Sequence, residues 1–147
     1  MAKIRVSDAL ELTNKAESPL FKLAPIINQM FPAGGEEFEV LTAETVKWNV
    51  TGALTNVKVD YSIDGGANYD YVISASTPAG GGSDTIIPWN ITDTPSPNVI
   101  VRVSDPNDSS INDVSPQLSI KVVFDMTSPL TNWVWEVGTP EDIIWST

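Results

Sequence analysis

The sequence predicts an all-β fold, a seven-stranded sandwich of two sheets, and two features of the chain lead to this prediction. Valine and isoleucine recur in short alternating runs, as expected for strands with one buried face. Eleven prolines and nine glycines provide turns between such runs. The length of 147 residues is enough for one sandwich with a sizeable core.

Alternation of apolar and polar residues places the strands in order along the chain. The predicted strands lie near 26–31, 46–51, 55–64, 69–74, 84–91, 99–104 and 118–124. The strand at 84–91 contains Pro88, which has no N–H to donate, so we expect it at an edge or a bulge. The inward positions predict a core made of Trp48, Val57, Val59, Tyr61, Trp89, Val101 and Val103.

Glycines and short polar residues mark the connections between these strands. Gly65 and Gly66 permit the positive φ of a tight hairpin that leads into the strand at 69–74. The cluster at 79–83 is too rich in glycine for a strand, so we expect a loop. Residues 105–114 are rich in Asp, Asn and Ser and are also predicted to form a loop.

The two ends of the chain repeat one another. A shift of 97 positions aligns residues 2–50 with residues 99–147 without a gap, and 12 of the 49 pairs are identical. The match runs through turns and pairs Trp48 with Trp145, so a chance likeness of two valine-rich strands does not explain it. The period is close to the size of one sandwich module, about 100 residues.

The repeat divides the chain into three parts. Residues 25–121 are expected to form one complete module, residues 1–24 the last two strands of a preceding module, and residues 122–147 the first two strands of a following one. Trp145 should then face inward, as Trp48 does. Each partial module has an apolar face and open edges, so we expect head-to-tail association with neighbouring copies of the repeat.

Three segments resemble a known type of repeat. Residues 32–48 read PAGGEEFEVLTAETVKW, residues 56–66 read NVKVDYSIDGG, and VRVSD at 101–105 is followed by DVS at 113–115. These motifs resemble an immunoglobulin-like or fibronectin-type-III-like module of large secreted and surface-anchored bacterial and archaeal proteins, to which a fungal cell-wall domain is related. The resemblance implies a spacer, a stalk or an enzyme appendage. Leu41 departs from it, where glycine is usual, as does Tyr69, where tryptophan is common.

Composition excludes several functions. Nineteen acidic residues against eight basic ones give a net charge of −11, so we expect neither nucleic acid nor an anionic membrane as a partner. The chain has no cysteine and no histidine, which excludes disulfides, thiolate zinc sites and Ser-His-Asp triads. No carboxylate pair lies in a motif that forms a pocket, so we expect no catalytic residue and no enzyme.

Two candidate binding sites remain, each with a simpler alternative. Asp105, Asn107, Asp108 and Asp113 offer oxygen ligands for calcium, but they lack EF-hand spacing, and Asx-rich turns look the same without metal. Trp133 aligns with Glu36 and is predicted to be exposed, either as a glycan-stacking surface or at a module junction. Asp60 and Asp64 are predicted to lie on an exposed, solvated strand face.

The sequence therefore predicts a structural spacer, stalk or display repeat of a large extracellular or cell-surface protein, without a cofactor. Two alternatives stay open: an adhesin or carbohydrate-binding module that recognises a glycan or another surface ligand, and an accessory domain of a secreted hydrolase.

Overall fold

A computed structural model describes the whole chain, residues 1–147. It contains thirteen strands, and none of its segments forms a helix long and apolar enough to cross a membrane. The strands are β1 (Arg5–Ser7), β2 (Lys15–Glu17), β3 (Ile26–Phe31), β4 (Glu37–Glu39), β5 (Ala43–Thr51), β6 (Asn56–Ser62), β7 (Tyr71–Pro78), β8 (Thr85–Asn90), β9 (Ser96–Asp105), β10 (Asp108–Val114), β11 (Leu118–Lys121), β12 (Asp125–Ser128) and β13 (Ile144–Ser146).

The central part of the chain is a sandwich of two sheets. One sheet has the order β3-β5-β8, and the other has the order β4-β11-β9-β6-β7, with β10 also paired to β9. All pairs are antiparallel except the short parallel pair of β4 and β11. The predicted all-β sandwich is confirmed, and it has nine strands, β3–β11, where seven were predicted. As expected for a strand that contains proline, β8 lies at a sheet edge.

The core lies between these two sheets and contains four buried aromatic side chains. Sixteen hydrophobic residues are buried, and all seven predicted core residues are among them. The ring of Trp89 lies 5.1 Å from that of Tyr61 and 5.7 Å from that of Phe38, measured between centroids. The indole N–H of Trp48 donates to the carbonyl of Ala79 at 3.2 Å, so this buried polar atom has a partner.

The turn after β6 is longer than the predicted tight hairpin. Gly65 and Gly66 have φ values of 74° and 90°, but β7 begins only at Tyr71, so eight residues, 63–70, connect the strands. The Asp64 carboxylate closes this turn by accepting hydrogen bonds from the Ser62 hydroxyl and from the backbone and side-chain N–H groups of Asn68. These bonds favour the charged form and lower the pKa of Asp64 to about 2.

The predicted loop at 105–114 is wrong. Strand β9 continues through Asp105, and β10 returns from Asp108 to Val114 as its antiparallel partner. The polar composition suggested a loop, but the outward face of an antiparallel pair can be polar throughout. The turn itself needs only two residues, Pro106 and Asn107.

Each end of the chain forms a small hairpin outside the sandwich. In the N-terminal hairpin (residues 1–24), β1 pairs with β2. In the C-terminal hairpin (residues 122–147), β12 pairs with β13. Neither hairpin belongs to the two large sheets, so their apolar side chains have no opposing sheet.

Leu41 has a backbone conformation that suits glycine. Its φ of 63° lies in the left-handed region, which is costly for a residue with a branched side chain. The resemblance placed a glycine here, and Gly138, which is 97 positions further along, has a φ of 94°. The Leu41 side chain is 78% exposed, so it gains little from packing in return.

We therefore expect Leu41→Gly to raise the free energy of unfolding by about 0.5–1 kcal/mol, because relief of strain outweighs the greater freedom of glycine in the unfolded chain. Urea denaturation of the two proteins measures the difference. Leu41→Ala keeps the strain and should change stability less. A less stable glycine variant would contradict this explanation.

Candidate functional site

The most strongly organised polar group lies on the outer face of the larger sheet. Asp60 was predicted to be solvated on an exposed face, and this is wrong: the residue is 0% exposed. Its carboxylate accepts two hydrogen bonds from the guanidinium of Arg102, at 2.8 and 3.0 Å, and one oxygen lies 2.6 Å from the ammonium of Lys58. Asp64, by contrast, is exposed as predicted, but it lies in the turn after β6 and not on a strand face.

A tyrosine covers this ion pair. The guanidinium carbon of Arg102 lies 3.8 Å from the centre of the Tyr69 ring, a cation–π contact. The hydrogen bonds that the guanidinium donates to Asp60 raise the pKa of Arg102, and burial raises the pKa of Tyr69. Lys58, Asp60, Tyr69 and Arg102, called here the Asp60 cluster, tie β6, β9 and the turn before β7 together. Asp60 is buried and both cations reach it, so the cluster leaves no buried charge without a partner.

A second feature is an open depression between the two edge strands β7 and β8. Its volume is about 400 Å³, and it is lined by Tyr61, Asp70, Tyr71, Val72, Ile73, Pro88, Trp89, Asn90 and Thr92. Tyr61 and Tyr71 stack at 4.9 Å on one side. The Tyr61 hydroxyl is bonded to the hydroxyls of Thr92 and Thr94, whereas the side chains of Asp70 and Asn90 make no hydrogen bond within the chain.

Trp89 lines this depression and carries one polar atom without a partner, which lies below the surface. Its indole N–H is buried and has no hydrogen-bond partner, which is uncommon for a buried polar atom. A carboxylate, an amide and aromatic rings thus surround one open volume. Such a combination can bind a small polar molecule with several hydroxyl groups.

The side chains of three of the four calcium candidates, Asp105, Asp108 and Asp113, accept hydrogen bonds within the chain, whereas Asn107 contributes only its backbone N–H. Asp105 accepts from the backbone N–H of Asn107, and Asp108 accepts from Ser110 and from Lys22 of the N-terminal hairpin. Asp113 accepts from the backbone N–H of Gln29 and so joins the two sheets at one side. No three acidic side chains of the chain converge as a metal site requires. The pKa of Asp108 is lowered to about 2, mainly because Lys22 donates a hydrogen bond to its carboxylate.

The C-terminal tryptophans are all at the surface. Trp133 is exposed, as predicted, and Trp135 is 39% exposed. Trp145 was predicted to face a core, but it is 58% exposed, because no second sheet covers the face of β13 on which it lies.

Both terminal hairpins reproduce the backbone pairing of the complete module. In β1–β2 the pairs Arg5↔Glu17 and Ser7↔Lys15 correspond, 97 positions on, to Arg102↔Val114 and Ser104↔Asn112 in β9–β10. The pairs of β12–β13 correspond in the same way to those of β3–β5, including the irregularity in register. Sequences with few identities therefore adopt one local structure.

The same correspondence holds for hydrogen bonds outside the strands. The Ser18 hydroxyl accepts from the backbone N–H of Ile4, as the Ser115 hydroxyl accepts from that of Val101. The Thr139 hydroxyl donates to the carbonyl of Glu136, as Thr42 does to Glu39. The hairpins differ from the module in burial, because their apolar side chains are exposed and the corresponding side chains of the module are buried. The exposed residues are Ile4, Val6, Leu23, Phe124, Ile143 and Trp145, and the buried counterparts are, in the same order, Val101, Val103, Ile120, Ile27, Val46 and Trp48.

Sequence reasoning missed the Asp60 cluster and the depression. The one available signal for the cluster was an acidic residue on one strand and an arginine on another, both at outward positions. Their contact depends on the register of β6 against β9, in which Asp60 stands opposite Arg102. The pattern of neighbouring residues along either strand does not reveal that register.

We expect Asp60→Ala to lower the free energy of unfolding by about 2–3 kcal/mol, because two cations then lose the partner that compensates their partial burial. Asp84→Ala is the matched control, since Asp84 is also paired with a lysine, Lys47, but lies at the surface. The control should lose clearly less stability, because water already screens an exposed ion pair. Equal losses in urea denaturation would show that the Asp60 cluster contributes no more than a surface pair.

Comparisons with known proteins give a likeness of fold. No protein-family model matches the chain, and no curated protein matches it. Among solved structures, the chain is similar to the fibronectin(III)-like modules of CbhA from Clostridium thermocellum, with 18% sequence identity and a TM-score of 0.38. The alignment covers 74% of this chain and 55% of that one, so the chain spans about half of that structure's length. The resemblance to a particular repeat family stays a prediction.

Proposed function

We propose that this chain is a structural spacer or display repeat of a large extracellular surface protein. The observation that carries the proposal is the shift of 97 positions that maps both terminal hairpins onto strands of the central module, pair by pair. A unit that recurs at a fixed spacing forms a linear array in which each module contacts its neighbours. Such an array sets the distance between whatever lies at its two ends.

The surface of the central module suits an extended array. Residues 25–121 carry twelve acidic and four basic residues, a net charge of −8, so successive modules repel one another. Pro25 stiffens the link between the N-terminal hairpin and the module, and Lys22 forms a 2.5 Å ion pair with Asp108 across it. These contacts limit the bending of neighbouring units.

The acidic groups with shifted pKa values are held in turns and surface ion pairs. The carboxylates with shifted pKa values are Glu37, Asp64, Asp84 and Asp108, and hydrogen bonds lower the pKa in every case. A general acid needs the opposite shift, towards neutral pH. These groups lie at turns and ion pairs on the surface, where the charged form contributes to folding.

Extension of the chain tests the proposal. Thr147 corresponds to Val50, so a second copy of residues 51–121 placed after Thr147 supplies the strands that the C-terminal hairpin lacks. We expect Trp145 to become buried, with a blue shift of its fluorescence. The longest dimension in X-ray scattering should grow by roughly 35 Å, the length of a ten-residue strand such as β9.

The same extension on an Ile143→Glu chain is the control. Ile143 corresponds to the buried Val46 but is exposed here, so the substitution should block only the second module. If Trp145 stays exposed in the extended chain without this substitution, the C-terminal hairpin is not the start of a module, and the proposal fails.

Glycan binding is a second candidate, favoured by the depression between β7 and β8. Asp70 and Asn90 have free polar groups there, next to the rings of Tyr71 and Trp89. Sugar rings present hydroxyls and an apolar face to such sites. This function is compatible with a display repeat but would make the module itself the adhesive unit.

A glycan array followed by titration calorimetry distinguishes the two functions. If the module binds a glycan in the depression, Asp70→Ala should weaken binding by about tenfold or more, through loss of a charged hydrogen bond. If Trp133→Ala abolishes glycan binding and Asp70→Ala does not, the site lies on the C-terminal hairpin. Absence of binding to every glycan of the array would contradict the second candidate.

A further inference from the structure

We propose that two copies of this chain dock head to tail, with the C-terminal hairpin of one copy against the N-terminal hairpin of the next. This inference rests on the proposed function, because it takes the two hairpins to be the opening and closing strands of the same repeat. The occupant of each exposed apolar face is then the other hairpin, supplied by a second copy.

The complete module shows how these two parts meet. Strand β4 lies parallel to β11, with Phe38 opposite Ile120 and Glu39 opposite Lys121. The backbone N–H of Ser119 donates to the carbonyl of Glu36 at 2.9 Å, and the N–H of Val40 donates to the carbonyl of Lys121 at 3.0 Å. This contact joins the opening segment of a module to its closing strand.

The shift of 97 positions transfers this contact to the hairpins. Leu23 of one copy should lie opposite Trp135 of the other, and Ala24 opposite Glu136. The backbone groups required for the two bonds are the N–H groups of Lys22 and Val137 and the carbonyls of Trp133 and Ala24. None of these four groups makes a hydrogen bond within the single chain. Both edges are therefore free to pair.

The side chains at this edge are exposed where their counterparts are buried. Leu23 is 77% exposed, whereas Ile120 is 2% exposed. Trp135 is 39% exposed, whereas Phe38 is 7% exposed. Docking of the two hairpins would remove a leucine and a tryptophan from water together, which favours association.

Charge favours contact between an N-terminal and a C-terminal hairpin over contact between two C-terminal hairpins. The N-terminal hairpin carries four of the eight basic residues of the chain and three acidic ones, a net charge of +1. The C-terminal hairpin has four acidic residues and no basic one, a net charge of −4. Two C-terminal hairpins repel each other, whereas an N-terminal and a C-terminal hairpin attract.

The contact joins different surfaces of the two copies, so it does not close on itself and generates open chains. The composite unit still lacks the counterparts of residues 51–98, which include three strands of the module. The interface is consequently small, and we expect association that depends on concentration.

Cysteine crosslinking tests the register, because the chain has no cysteine of its own. Ala24 and Glu136 are exposed, and their counterparts Lys121 and Glu39 point outward, so substitution leaves the apolar contact intact. An equimolar mixture of Ala24→Cys and Glu136→Cys chains should form the mixed disulfide at least about tenfold faster than a control mixture of Leu10→Cys and Glu136→Cys. Leu10 lies in the turn of the same hairpin. A chain with both Ala24→Cys and Glu136→Cys should give a ladder of multimers.

Light scattering over a range of concentrations provides the second measurement. The unchanged chain should show association that Leu23→Glu weakens at least about tenfold and that Leu10→Glu leaves unchanged. A monomer at every concentration, or preferential disulfides between identical hairpins, would overturn the inference. If Trp145 is nevertheless buried in the extended chain, the repeat function stands and only the docking of separate copies is refuted.

Discussion

A sheet with one apolar face is stable only when a second surface covers that face, and this requirement governs every part of the molecule. Trp48 and Trp145 occupy equivalent positions in strands of the same pairing register, yet one is 0% exposed and the other 58% exposed. The difference is the opposing sheet, which the central module has and the hairpin lacks. The two strands of each hairpin thus pair as their counterparts do, whereas burial is complete only in the middle of the chain.

The register that fills the core also arranges the polar surface. Val59 stands opposite Val103 and Tyr61 opposite Val101 on the inner face of β6 and β9, and the intervening pair, Asp60 with Arg102, lies on the outer face. A slip by one residue would expose the valines and bury unpaired charges together. The Asp60 cluster therefore adds specificity to a pairing that the hydrophobic effect already favours. The depression between β7 and β8 results from the same architecture, because two edge strands meet there without closing the sandwich.

Alternation and turn chemistry predicted seven of the nine sandwich strands and the seven core residues, because both act over a few neighbouring positions. Predictions failed where a distant strand decides the outcome. Residues 108–114 have the composition of a loop, but pairing with β9 makes them a strand. Asp60 alternates like a solvated residue, but Arg102 and Tyr69 cover it. Tyr69 was predicted to lie in a strand, but it belongs to the turn that Asp64 organises, and β7 begins only at Tyr71.

By itself, the sequence determined the β class, the glycines that permit positive φ at the turn before β7, the net charge, and the repeat of 97 positions that sets equivalent strands in equivalent registers. These properties depend on the steric preferences of each residue and on the order of side chains along one strand. Only the tertiary structure decided which faces are covered, which charges are paired and which backbone edges remain free. Burial and pairing require a second surface. For the strands of the central module, a distant segment of the chain contributes that surface, whereas the strands of the hairpins have no opposing sheet.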